Sequence, residues 1–150
     1  MIKILIIFIF SQYLNAGVIS YSIGKVFGKQ PINYGLRGVK HPKTGVKFNR
    51  LGYPIFKKVA NCNLQSTDFK KSREVHFNIC NKRMYNQIIK NPRLKNNFSF
   101  SDIEKMKKGM SPSDYTWHHH QRKGVLELVD KSIHNKTAHS GGYSKWSDTP

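Results

Sequence analysis

The stretch from Tyr115 to Gly142 constrains this chain more than any other, because five of the seven histidines fall within it. Tyr115–Gln121 opens with aromatic and β-branched residues, which suits a strand. Gln121-Arg122-Lys123-Gly124 is polar and ends in Gly, the composition of a hairpin loop. Val125–Val129 is a short apolar run with Glu127 at its centre and predicts a second strand. Asp130 can cap a helix over Lys131–His139, its carboxylate accepting from backbone N–H groups two or three residues on. Gly141-Gly142 stops that helix. A hairpin followed at once by a helix sets the end of the first strand beside the helix. His118, His119 and His120 can then face His134 and His139.

Neutral imidazole is the commonest protein ligand for a divalent metal, and three of them make a compact site. A fourth imidazole nearby, off the metal, can serve as a general base near neutral pH. A single His is ordinarily a satisfied surface or half-buried residue; five on a strand–turn–helix pattern read as a site. Two geometrical conditions follow. Side chains alternate along a strand, so His118 and His120 share a face with His119 opposite unless the strand twists or ends there. His134 and His139 lie about 140° apart on an ideal helix, so they converge only if its last turn unwinds.

The strings Tyr115-Thr-Trp-His-His-His-Gln121, Leu126-Glu-Leu-Val129, Ile133-His134 and His139-Ser-Gly-Gly142 resemble the WHH branch of the HNH/endonuclease VII (His-Me finger) nucleases. The matching segment covers about 30 residues and its spacing is specific. Upstream, Phe48–Phe56 is similar to the Gly-aromatic-Pro-x-Phe stretch that precedes the motif in that family, with Ile55 where an acidic residue is common. The resemblance implies a ββα element that holds one metal ion and cuts phosphodiester bonds. By position, His118 would be the metal ligand from the first strand and His119 the general base that activates water. His134 and His139 would complete the metal site from the helix, and His120 stands where the family varies. The implied cofactor is one divalent ion, with Zn, Ni, Mg and Mn all compatible. The implied partners are nucleic acid, DNA ahead of RNA, and an immunity protein of the kind that restrains toxin-type relatives. The chain ahead of the motif is short, so a free-standing secreted nuclease stands beside the toxin reading.

The start of the chain, MIKILIIFIFSQYLNA, has one Lys, an apolar run over Ile4–Phe10, then small and polar residues. That is a secretory signal pattern over 1–16, too short to span a bilayer, and it predicts a secreted or periplasmic protein without stable membrane insertion. The remainder is one domain's worth of chain. Net charge is +18, and the segment from Gly17 to Thr67 contains no Asp or Glu against nine Lys or Arg. Such an excess calls for an anionic partner, nucleic acid first. Residues 17–45, rich in Gly with Tyr21, Phe27 and Tyr34 spaced through them, predict a loosely ordered basic arm ahead of a nuclease-like domain over 46–150 whose metal core is 114–142.

Within that domain, Val46, Phe48 and Tyr53 suggest a short hairpin that Pro54 keeps at an edge. Cys62 and Cys80 are the only cysteines; after export they can pair, and their spacing fits no zinc ribbon. Phe69, Val75, Ile79, Met84 and Ile88 recur at helical spacing over 66–89, where His76 reads as structural. Lys70, Lys71, Arg73, Arg122 and Lys123 are the candidate phosphate contacts. Ser101-Asp-Ile-Glu104 is a capping box for a helix to Lys108. Trp117 reads as a core residue and Tyr143–Pro150 as a fraying tail. The expected fold class is α+β: a small helical body, the basic arm, and a C-terminal ββα-metal element.

Two readings of other classes compete. A non-catalytic, basic nucleic-acid-binding protein would use the histidines for a closed, four-ligand zinc site and bind plasmid without nicking it. A cationic membrane-active secreted protein would leak anionic vesicles without any metal.

Overall fold

An antiparallel sheet assembled from two distant parts of the sequence carries the site. The structure is a computed structural model and describes residues 31–146. Two short strands, β1 (Lys47–Phe48) and β2 (Pro54–Ile55), form the expected small hairpin, and β3 (Lys58–Asn63) follows. Three helices come next: α1 (Arg73–Lys90), the single-turn α2 (Pro92–Lys95) and α3 (Phe100–Lys107). The chain then forms β4 (Tyr115–His119) and β5 (Val125–Asp130), continues into α4 (Lys131–Lys136), and makes a last turn, α5 (Tyr143–Trp146). Strands β3, β5 and β4 lie side by side in that order, all antiparallel.

The sheet has two different faces. On one, Trp117, Leu126 and Leu128 pack with Cys62 and Leu64, with Cys80, Met84 and Ile88 of α1, and with Ile103 and Met106 of α3. Burying a side chain of this size contributes roughly 1.5–3 kcal/mol. Trp117 is the core residue expected, and its indole N–H donates to the buried Asn81 Oδ1 at 2.7 Å. On the other face Val129 packs against Val46 and Phe56. Cys62 and Cys80 form a disulfide that ties β3 to α1.

Several sequence expectations need adjustment. The periodicity did not reveal β3, whose Lys58, Asn61 and Asn63 are exposed on a strand outside the ββα motif. Helix α3 is capped by Ser99, two residues before the capping box, with its hydroxyl accepting from the Asp102 amide at 3.1 Å. Ser99 wins because Asp102 then turns its carboxylate to the Ser113 amide at 2.8 Å, fixing the loop that leads into β4. The expected fraying tail is partly ordered: Trp146 is buried in the core, and its indole N–H donates to the His120 carbonyl at 2.9 Å. Residues 147–150 lie outside the described residues, as does the expected signal segment 1–16.

Of the expected basic arm, residues 31–45 are described and 17–30 are not. The described part runs beside β1, with Gly38 donating to the Phe48 carbonyl and His41 to that of Val46. No helix among the described residues is long and apolar enough to cross a membrane.

Candidate metal centre

Strand β4 delivers the histidine triplet, and strand alternation decides where each ring goes. His118 faces the Phe56 side of the sheet, opposite Glu127 in the register, and is 2% exposed. His119 goes to the other face, against Phe77 of α1 and the rings of His76, Tyr143 and Trp146. His120 lies just past the strand, where its Nδ1 accepts from the Arg122 amide at 3.0 Å, a loop contact.

The second half of the site depends on how α4 ends. Asp130 caps it as expected, accepting from the Ile133 amide at 2.7 Å. The helix stops at Lys136, not at His139, because Thr137 turns to extended backbone while its hydroxyl bonds back to the Ile133 carbonyl at 2.8 Å. His139 is thereby freed from the helix and swings toward His134, ring centroids 4.7 Å apart. The unwinding required by the helical geometry therefore occurs at Thr137, ahead of the glycines. Gly141-Gly142 has another role. The Gly142 amide donates to the His119 carbonyl at 2.7 Å, and a Cβ at Gly142 would overlap the His120 carbonyl and the Trp146 indole.

Residues 32–44 brace the loop that carries His139. The Ile32 amide donates to the Ser140 hydroxyl at 2.8 Å, the Asn33 side-chain amide donates to the Ala138 carbonyl, and the hydroxyls of Thr44 and Thr137 meet at 2.7 Å.

The result is a cluster of three imidazoles. Each of His118, His134 and His139 offers a ligand nitrogen, and these nitrogens all lie within 4.8 Å of one another. His139 Nε2 stands 3.2 Å from His118 Nδ1. Two imidazole nitrogens on one tetrahedral zinc are roughly 3.3 Å apart, so this pair already has a ligand spacing. The His139 Nδ1–H donates to the Thr137 carbonyl at 2.5 Å, which leaves Nε2 as the lone-pair nitrogen. Phe56 touches all three rings, with centroids 4.9, 5.4 and 5.2 Å from His118, His134 and His139. The residues present therefore fit a divalent ion. Among the described residues the cluster supplies three ligands, which leaves a coordination position for substrate or water.

Burial is the first cause of a depressed pKa at each of these rings. His118 is lowered to about 2, with the neighbouring imidazoles of His139 and His134 adding to the shift. His134 falls to about 4, burial again leading and His139 next, and burial also lowers His139. His119 falls to about 3 through burial, then the proximity of His76, Arg73 and His134. All four are neutral at pH 7, the form that ligates a cation or accepts a proton.

A stability prediction follows. Unfolded, these histidines titrate near 6.5, so between that pH and their folded values the unfolded chain binds more protons. Stability is full above about pH 6.5 and falls as the pH drops. Nearly buried His118 and His119 each add up to about 1.4 kcal/mol per pH unit. Urea midpoints of the metal-free protein should hold from pH 8 to 7 and decline steeply below pH 6. A level profile down to pH 4.5 would mean that these rings are not held neutral.

Of the five candidate phosphate contacts, two are tied to aromatic rings that belong to or adjoin the cluster around His119. Arg73 lies over the Tyr143 ring at 4.6 Å and Lys123 over Phe69 at 5.3 Å. Lys70 and Arg122 are exposed, and Lys71 pairs with Asp68 at 2.8 Å. Sequence reading missed Phe56 and His76 as site residues. Phe56 had a signal, since it ends the upstream stretch similar to the nuclease family. His76 had none, because its partner lies 43 positions away. The pairing of exposed Lys58 with buried Glu127, at 2.8 Å beside the row of His118, was also not foreseen.

The family model for the DNase/tRNase domain of colicin-like bacteriocin matches residues 46–141. The chain belongs to this family. Comparison with curated proteins and with solved structures gives no match. As a colicin-type nuclease domain the chain is an HNH-type hydrolase of the bacteriocin toxin class, and its substrate is nucleic acid. The matched segment contains all of His118, His119, His134 and His139, and Phe56 as well.

Proposed function

We propose that this colicin-type domain is an exported, metal-dependent endonuclease that hydrolyses DNA backbones with low sequence specificity, and that it belongs to the WHH branch through Trp117-His118-His119. The single observation that carries the catalytic reading is the cluster of three neutral imidazoles with one open position. His118, His134 and His139 would hold the ion; their nitrogen donors suit Zn²⁺ or Ni²⁺ better than Mg²⁺, which prefers oxygen. When bound, the ion supplies Lewis-acid stabilisation of the charge that develops on the leaving oxygen.

The chain's own residues would do the rest. His119, next to His118 and within electrostatic reach of His134, takes a proton from the attacking water. The water oxygen bonds to phosphorus, the P–O bond to the leaving oxygen breaks, and that oxygen takes a proton from solvent water. An anionic phosphodiester beside His119 opposes the effect of burial and raises its basicity in the complex. Arg73, Lys70, Lys71, Arg122 and Lys123 hold the backbone phosphates. The Cys62–Cys80 bond supports export, since such bonds persist in oxidising compartments. An acidic immunity protein covering this basic face is the partner the toxin class suggests.

Incubating the protein with supercoiled plasmid and with tRNA, with chelator and then with Zn²⁺, Ni²⁺, Mn²⁺ or Mg²⁺ restored, tests the proposal. Nicking of plasmid that chelator stops and at least one ion restores is expected. Plasmid binding without nicking under every ion would favour the structural-metal alternative, and cleavage of tRNA alone would overturn the choice of DNA.

A further inference from the structure

His76 is fully buried, lies 43 positions from its partner, and takes no part in the chemistry above. It projects from the first turn of α1 into the ring cluster around His119. Its Nε2 lies 2.7 Å from the backbone carbonyl oxygen of Asp68, and its Nδ1 lies 3.0 Å from His119 Nε2. Trp146 stacks on it at 5.9 Å and Tyr143 meets it edge-on at 5.7 Å.

These contacts determine where the hydrogens lie. A carbonyl oxygen only accepts, so His76 Nε2 carries the hydrogen. A neutral imidazole has one N–H, which leaves His76 Nδ1 as an acceptor. With both rings neutral, the hydrogen they share belongs to His119 Nε2. His119 is left with a lone pair on Nδ1, which has no hydrogen-bond partner among the described residues.

We infer that His76 is a positioning residue for the nuclease reaction: through the chain Asp68 carbonyl–His76–His119 it fixes the base in the Nε2–H tautomer, with Nδ1 as the nitrogen that receives the proton. The inference rests on the reading of His119 as general base. Without His76, the two tautomers of His119 would interconvert, and the form with hydrogen on Nδ1 cannot take a proton there. Once His119 is protonated, the same chain passes its Nε2–H toward the Asp68 carbonyl dipole and supports the positive ring. Phe77, the next residue on α1, stacks on His119 at 5.5 Å and fixes the ring plane while His76 fixes the tautomer.

The test compares His76→Leu, which removes the acceptor, with His76→Asn, whose Oδ1 falls near the position of imidazole Nδ1. Plasmid cleavage by the metal-loaded protein should lose about 10- to 100-fold in kcat in His76→Leu, the range typical of groups that orient a working imidazole. KM and Zn²⁺ uptake should stay unchanged, and His76→Asn should recover most of the rate. Adding His76→Leu to His119→Ala should cost little beyond His119→Ala alone. Nitrogen NMR of histidine-labelled, Zn²⁺-loaded wild type should show His119 protonated at Nε2 and bare at Nδ1. Equal loss in the Leu and Asn variants, or a wild-type His119 protonated at Nδ1, would overturn the inference even if His76→Leu folds poorly. If His119→Ala is inactive while both His76 variants cut normally, this inference alone fails. If His119→Ala itself cuts normally, the general-base reading fails first.

Discussion

His119→Ala is expected to lower the rate of backbone cleavage by about 100- to 10,000-fold while the domain still folds and still takes up its ion. The separation of effects follows from the two faces of the sheet. His118, His134 and His139 meet on the Phe56 side, whereas His119 packs against α1 on the other. Truncating His119 leaves the ligand nitrogens and Phe56 in place, so Zn²⁺ titration should give the wild-type stoichiometry. The loss should fall on kcat, because the ring acts on the attacking water and does not hold the nucleic acid. The cavity left beside His76 and Phe77 costs some stability, which a urea melt of the variant would register. Cleavage by His119→Ala within a few-fold of wild type would assign the proton transfer to another group. Loss of Zn²⁺ uptake in the same variant would place His119 among the ligands instead.

Replacing both Cys62 and Cys80 by Ala should destabilise the folded protein by about 3 kcal/mol, the usual value for a closed loop of this size. The bond joins residues 18 apart in sequence and ties β3, in the sheet with β4, to α1, which carries His76 and Phe77. Its principal effect is on the unfolded chain, which loses conformational freedom when the loop is closed. A decrease in Tm of roughly 10 °C accompanies a change of this size. Wild type treated with a strong reductant should approach the melting profile of the double variant. A wild-type midpoint unmoved by reductant would show that the bond does not form in solution. At temperatures well below the melt both forms should cut plasmid, since neither cysteine reaches the imidazole cluster.

Much of the site was legible because its parts are local. Asp130 as a helix cap, the Gln121–Gly124 loop and the two strands around it depend on neighbours a few residues apart, and all appear in the structure. That histidines of the first strand can face His134 and His139 was also readable, as the consequence of a hairpin running straight into a helix, whereas the choice of His118 among them came from the resemblance to the nuclease family. Long-range pairings were not readable. Strand β3 shows no strong alternation, since Lys58, Asn61 and Asn63 face outward and only Cys62 is fully buried, so its place beside β5 depends on a partner more than sixty positions away. The Ser99 cap prevailed over the nearer box because Asp102 was needed at Ser113. Trp146 joined the core through a tail whose local composition is polar.

The amino-acid sequence by itself determined the chemical type of this protein: which side chains are present, their spacing along strand, turn and helix, and the positive charge that draws a polyanion. Those properties arise from covalent order and nearest neighbours. The tertiary structure decided which way each imidazole points. Adjacent His118 and His119 go to opposite faces because a pleated strand alternates, and His139 meets its partners only because Thr137 ends the helix early. His76 came to stand behind His119 only when α1 packed across the sheet, a contact whose free energy comes from burying Met84, Trp117 and Leu128 in the core that α1 and the sheet share.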